Sequence, residues 1–172
     1  MFGAAGCVNR RVPPRAPVLH RSRPGAPADR FRVRLDDHHL ALTRAALDRG
    51  STYRTTKEPR GSDAYLETRA RFLASLGRLA AFEEASTTLV RCRFNTQLAA
   101  HADELTRQYF VLRSVIGRHG QEPRPVDEAG WRRLDYFATQ LGRLEGTADA
   151  LLIAGRNVRL FPLPALPWLQ LT

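Results

Sequence analysis

The chain has 172 residues, 43% of them hydrophobic, and a net charge of +10. That length suits one domain with a real core, and no apolar run approaches the roughly 18 residues of a membrane span. Its two distant cysteines, Cys7 and Cys92, make neither a disulfide framework nor a zinc site. This usage fits a reducing compartment with Cys92 as a buried apolar filler.

The charge is unevenly spread. Residues 1–34 hold eight Arg and one acid, Asp29, a net +7, whereas residues 35–172 hold 19 basic and 16 acidic side chains, a net +3. Pro, Gly, Ala and Arg without periodicity make 1–34 a disordered basic arm. It lacks the apolar stretch of a secretory signal. Pro13, Pro14, Pro17 and Pro24 would break the amphipathic helix of a mitochondrial leader. Arg10, Arg11, Arg15, Arg21 and Arg23, followed by Arg30, Arg32 and Arg34, leave four roles open: a nuclear-import address, a nucleic-acid contact, a membrane-surface contact, or a solvated tail. Only Phe2 and Phe31 could stack on bases, which counts against nucleic acid. Cys7 followed by Arg would permit S-acylation plus charge, a peripheral membrane anchor. Of the 27 basic residues only Lys57 is not Arg. Because Arg is scattered over the helices too, this reads as GC-rich coding before it reads as dedicated phosphate contact.

The helical domain spans residues 35–156. Asp36 or Asp37 caps a short first helix with Leu40, Ala41, Ala45 and Leu47 on its inner face, and Gly50 stops it. Asp36-Asp37-His38-His39 superficially suggests a metal cluster. Neighbours on a helix point about 100° apart, so at most two of the four could share an ion. Ser51 to Arg60 is a polar connection.

Ser62 or Asp63 caps the second helix, with Asp63 and Glu67 near its positive end. Leu66, Leu73, Leu76, Leu79 and Phe82 recur at helical spacing. After a polar patch at Ser86, Thr87 and Thr88, the stripe resumes at Leu89, Val90, Phe94 and Leu98 and finishes with Leu105, Tyr109, Leu112 and Ile116. With no Pro between Pro59 and Pro123, one helix could run to Ile116, a rod of about 80 Å. Gly77 and the Ser86–Thr88 patch are its weak points. His101 sits at the stripe's boundary, half-buried rather than a ligand or base.

Gln121 to Pro125 is a tight connection, and Asp127 and Glu128 open the third helix. Leu134, Phe137, Leu141, Leu144, Ala148 and Leu151 alternate spacings of three and four, which aligns all six on one face as a helix-packing seam. A short link between long helices predicts an antiparallel hairpin. Residues 157–172 are apolar, yet Pro162, Pro164 and Pro167 exclude a helix. Phe161, Leu163, Trp168 and Leu169 therefore belong to an extended tail that either packs across the hairpin or docks on a partner. The expected fold is all-α: a long helical hairpin with coiled-coil-like packing, a disordered N-terminal arm and an extended Pro-containing C-terminal tail. No Ser–His–Asp or Cys–His set and no Gly-rich phosphate loop is present. Neither a metal nor a cofactor is expected, and the chain reads as an interaction protein rather than an enzyme.

The order of parts carries a resemblance. Gly61-Ser62-Asp63-Ala64-Tyr65-Leu66-Glu67 opens a helix that later reads Glu84-Ala85-Ser86-Thr87-Thr88-Leu89-Val90-Arg91. A final helix follows with Leu134, Leu141 and Leu144, then the apolar ending Trp168-Leu169-Gln170-Leu171. Over residues 36–155 this resembles the small helical tegument proteins of herpesviruses. That family's alphaherpesvirus members help deliver the incoming capsid and virion transactivator to the nucleus. The resemblance implies a non-enzymatic virion component, active in host cytoplasm and nucleus, with a chaperone-like role in trafficking. Its partners would be other tegument or capsid proteins, or a second copy of itself. It offers no catalytic residue, and the basic Pro-rich arm departs from the family's pattern.

Overall fold

The computed structural model describes residues 27–92, 98–119 and 124–155. Among them every regular element is an α-helix: α1 Pro27–Thr55, α2 Asp63–Cys92, α3 Leu98–His119 and α4 Glu128–Ile153. The fold is all-α and built of helical hairpins, as the 3.6-residue periodicity predicts.

α1 departs from expectation at both ends. It begins at Pro27, inside the segment expected to be disordered, with proline at the first helical position where its missing N–H costs nothing. Asp36 and Asp37 are thus mid-helix rather than caps. Gly50 does not stop it: the Phe72 ring presses on Gly50, where an added Cβ would lie 2.9 Å from Cε2. The helix continues to Thr55, and the connection shrinks to a few residues around Gly61, whose φ of +91° only glycine adopts readily. The inner face of α1 is also corrected. Leu35, Leu42 and Ala46 are buried, while Leu40 and Leu47 point outward. His38 and His39 on its flanks reach α4 and α2, and these polar contacts fix the rotation of the helix.

α2 starts where expected, with Ser62 Oγ accepting the Tyr65 N–H at 3.2 Å. It ends at Cys92, having passed through Ser86–Thr88 without interruption. The expected 80 Å rod is not formed. Ile116 of α3 lies in the same core cluster as Leu66 and Ala70 from the first turns of α2, so α3 runs back alongside. Residues 93–97 lie outside the described ones.

α4 is capped by Asp127, whose Oδ1 accepts the Gly130 N–H at 2.7 Å, and closes on Gly155 at φ +82°. Arg124 donates to the Gly61 carbonyl at 2.7 Å and pairs with Asp63 at 2.9 Å, so α2 and α4 start at the same pole. Their register confirms a parallel pair: Arg69 meets Asp135, and Arg78 meets Asp149. α1 is antiparallel to both. His39 pairs with Glu83, Tyr53 with Tyr65, and Arg34 donates to the Ile153 carbonyl at 3.3 Å. The chain therefore runs up, down, up, down, with α2 and α4 as the closest pair and α1 and α3 on either side of it.

Two apolar clusters fill the interior. One joins Leu66, Ala70, Tyr109, Ile116 and the α4 stripe from Leu134 to Leu151. The other joins Leu35, Leu42, Phe82, Ala85, Leu89, Ala102 and Ala150. Leu105 packs against both.

Candidate interaction surfaces

All six seam residues of α4, Leu134, Phe137, Leu141, Leu144, Ala148 and Leu151, are buried within the chain. Their apolar face is spent on the protein's own α2 and α3, so any partner must use other surfaces. Beside that seam runs a second stripe the periodicity argument overlooked: Ala138, Gly142, Gly146 and Ala150, spaced by four and all buried. A Cβ on Gly142 would overlap the Ala74 carbonyl oxygen, and one on Gly146 the Arg78 carbonyl oxygen. The missing side chains bring the α2 and α4 backbones into contact, the close approach that small residues four apart allow. The signal was legible as Gly-x-x-x-Gly at 142–146, masked by the louder leucines next to it.

Charged pairs flank this contact. Arg69 binds Asp135 through two nitrogens, at 2.7 and 2.6 Å, and donates to Tyr53 Oη at 2.8 Å, tying α1 to the central pair. Arg78 binds Asp149 in the same forked way, at 2.7 and 3.0 Å, and reaches Glu145 at 3.4 Å. Planar bidentate pairing is what guanidinium does better than ammonium, so these two arginines have structural work whatever the coding bias. The hydrogen bond to Asp135 holds Arg69 charged well above its ordinary value, and that to Asp149 does the same for Arg78. Burial pushes the Glu145 carboxyl up, against the pull of Arg78. His38 Nε2 lies 3.1 Å from Asp149 Oδ2 without the alignment of a hydrogen bond, its ring tilted on Phe82 at 4.9 Å.

A polar cleft of about 350 Å³ opens where α1, α2 and α4 meet, with Arg49, Arg71, Arg78 and Glu145 on its walls. Arg71 pairs with Glu67, and Arg78 with Asp149 and Glu145, so the cleft is close to neutral and no anion trap. His38 faces α4 and His39 faces α2, which separates the members of the Asp36–His39 run. Among the described residues no three His, Cys, Asp or Glu side chains are grouped to hold a metal ion.

The larger opening is a groove of about 540 Å³ between α2, α3 and α4, lined by Ala85, Leu105, Val111, Leu112, Tyr136 and Arg143 among others. His101, the boundary residue, is on its wall. Phe110, Val111 and Tyr136 are 53%, 61% and 50% exposed. Large apolar side chains left beside an open groove are what a docking surface needs.

Arg10, Arg11, Arg15, Arg21 and Arg23 of the arm, and Phe161, Leu163, Trp168 and Leu169 of the tail, lie outside the described residues. No described helix is long and apolar enough to cross a membrane. No family model, no curated protein and no solved structure matches the chain.

Proposed function

We propose that this protein is a non-enzymatic adaptor of the herpesvirus tegument. In this reading it assists trafficking and assembly of viral proteins or capsids in host cytoplasm and nucleus. The observation that carries the adaptor role is the α2–α3–α4 groove with Val111 and Tyr136 exposed on its walls. A groove of that kind, with Leu105, Val111, Leu112 and Tyr136 set among charged and polar walls such as Glu84, Glu104, Arg107 and Arg143, suits an amphipathic helix or extended peptide from another protein. The assignment to a virion is supported by the resemblance at 61–67, 84–91 and the final helix. The test is cross-linking mass spectrometry on purified particles. The adaptor reading expects cross-links from the groove's rim to tegument or capsid proteins, lost in Val111→Glu, a change at an exposed site that leaves the fold intact. Absence of the protein from particles would sink the tegument assignment.

A second reading rests on the net +7 of residues 1–34, eight Arg against one acid. Here the chain is a small basic helical protein that binds nucleic acid through its arm. A salt titration separates the two. Binding through about six phosphates loses orders of magnitude in affinity between low and moderate salt, whereas apolar docking barely responds.

A further inference from the structure

α1 carries a stripe that its own fold does not use. Val33, Leu40 and Leu47 are 55%, 47% and 65% exposed. Their spacing of seven turns each only about 20° from the next on a helix, so the three span about 40° along roughly 21 Å of its length. That line lies about 140° around the helix from the face made by Leu35, Leu42 and Ala46, so the stripe points away from the core.

The charges beside it are ordered. On one flank, in chain order, stand Arg30, Asp37, Arg44 and Asp48, all exposed. Their signs run plus, minus, plus, minus. None is ion-paired among the described residues. Reversing the order inverts every sign. An antiparallel second copy of α1, laid across the stripe with Leu40 at the centre, therefore brings Arg30 within about 3 Å along the axis of Asp48, Asp37 within about 1.5 Å of Arg44, and the same two pairs again in mirror order. Val33 then meets Leu47 of the other copy, and Leu40 meets Leu40. A two-fold axis between antiparallel helices keeps each flank facing its own equivalent, so this matching follows from the sequence order alone. A parallel pairing would set this flank against the other one, where Arg32, Asp36 and Thr43 stand, and the alternation is lost.

We propose that the outer face of α1 is a self-association surface, closing an antiparallel, two-fold dimer through Val33, Leu40 and Leu47 with Asp37–Arg44 pairs across the axis. Three apolar side chains from each copy make a small interface, so the dimer is weak and concentration-dependent. The surface lies on a different helix from the α2–α3–α4 groove, and neither proposal depends on the other.

Sedimentation equilibrium of the full chain from about 1 to 200 µM tests it, with helicity by circular dichroism as the control for folding. Wild type is expected to pass from monomer to dimer across that range, and Leu40→Glu to stay monomeric with unchanged helicity. Asp37→Arg and Arg44→Asp each replace two attractive pairs by two repulsive ones and should weaken the dimer about tenfold. The double variant D37R/R44D restores opposite signs and should recover wild-type association. A wild type that stays monomeric, a dimer that survives Leu40→Glu, or charge variants that change nothing would each overturn the proposal. So would failure of the double variant to recover.

Discussion

Glu145 is drawn into the α1–α2–α4 junction, and burial pushes its carboxyl above the ordinary 4.5. The folded chain therefore holds this proton more tightly than the unfolded chain does. By linkage, the stability this proton contributes is fully present below the ordinary Glu value and is lost as pH rises past the folded one. At neutral pH the buried charge is a cost only partly offset by Arg78 at 3.4 Å. Glu145→Gln should raise the melting temperature at pH 7, and the gain should shrink to nothing in acid below about pH 4.5. A gain that grows toward acid would mean Arg78 holds Glu145 ionised more strongly than burial opposes it. One turn later on the same helix, Asp149 is almost fully buried and accepts two hydrogen bonds from Arg78.

At the scale of elements, the defining contact is α2 on α4. Gly142→Ala adds helix propensity worth about 1 kcal/mol. Its methyl, however, would overlap the Ala74 carbonyl oxygen, backbone that cannot rotate away. The two helices would have to part along the Ala138–Ala150 stripe. A net loss of about 2–3 kcal/mol in chemical denaturation is expected, whereas a stabilised variant would show that the helices are not in register here. Much of this level was legible in the sequence. The α4 start at Asp127, its end at Gly155 and its buried Leu134–Leu151 stripe follow from caps and periodicity. So does the α2 start at Ser62. What the chain hid has physical causes. Gly50 reads as a terminator because glycine commonly ends helices, but here it makes room for the Phe72 ring. Leu40 and Leu47 read as core because they are leucines, while the side chains that turn inward are Leu35 and Leu42. The fold-back between α2 and α3 leaves no Pro to announce it. Of the candidate surfaces, the α2–α3–α4 groove was illegible, since it is assembled from three helices whose mutual placement no single segment encodes.

At the scale of the whole molecule, α1 and α3 both rest on the central pair, yet no Cα of α1 lies within 8 Å of α3 among the described residues. The two flanking helices share one side-chain cluster, Leu35 and Leu42 with Ala102, but no close backbone contact. Native-state hydrogen exchange should resolve two sub-global openings. Amides of α3, the helix bearing exposed Phe110 and Val111, should exchange through the cheaper one while α1, α2 and α4 stay protected. Loss of protection in α1 and α3 in a single step at the global unfolding free energy would show the four helices to be one cooperative unit.

The hydrogen bond from Arg34 to the Ile153 carbonyl carries a consequence for the two ends of the chain. It fixes the early turns of α1 beside the last turn of α4, so the first and last described helices share a pole although they stand at opposite extremes of the sequence.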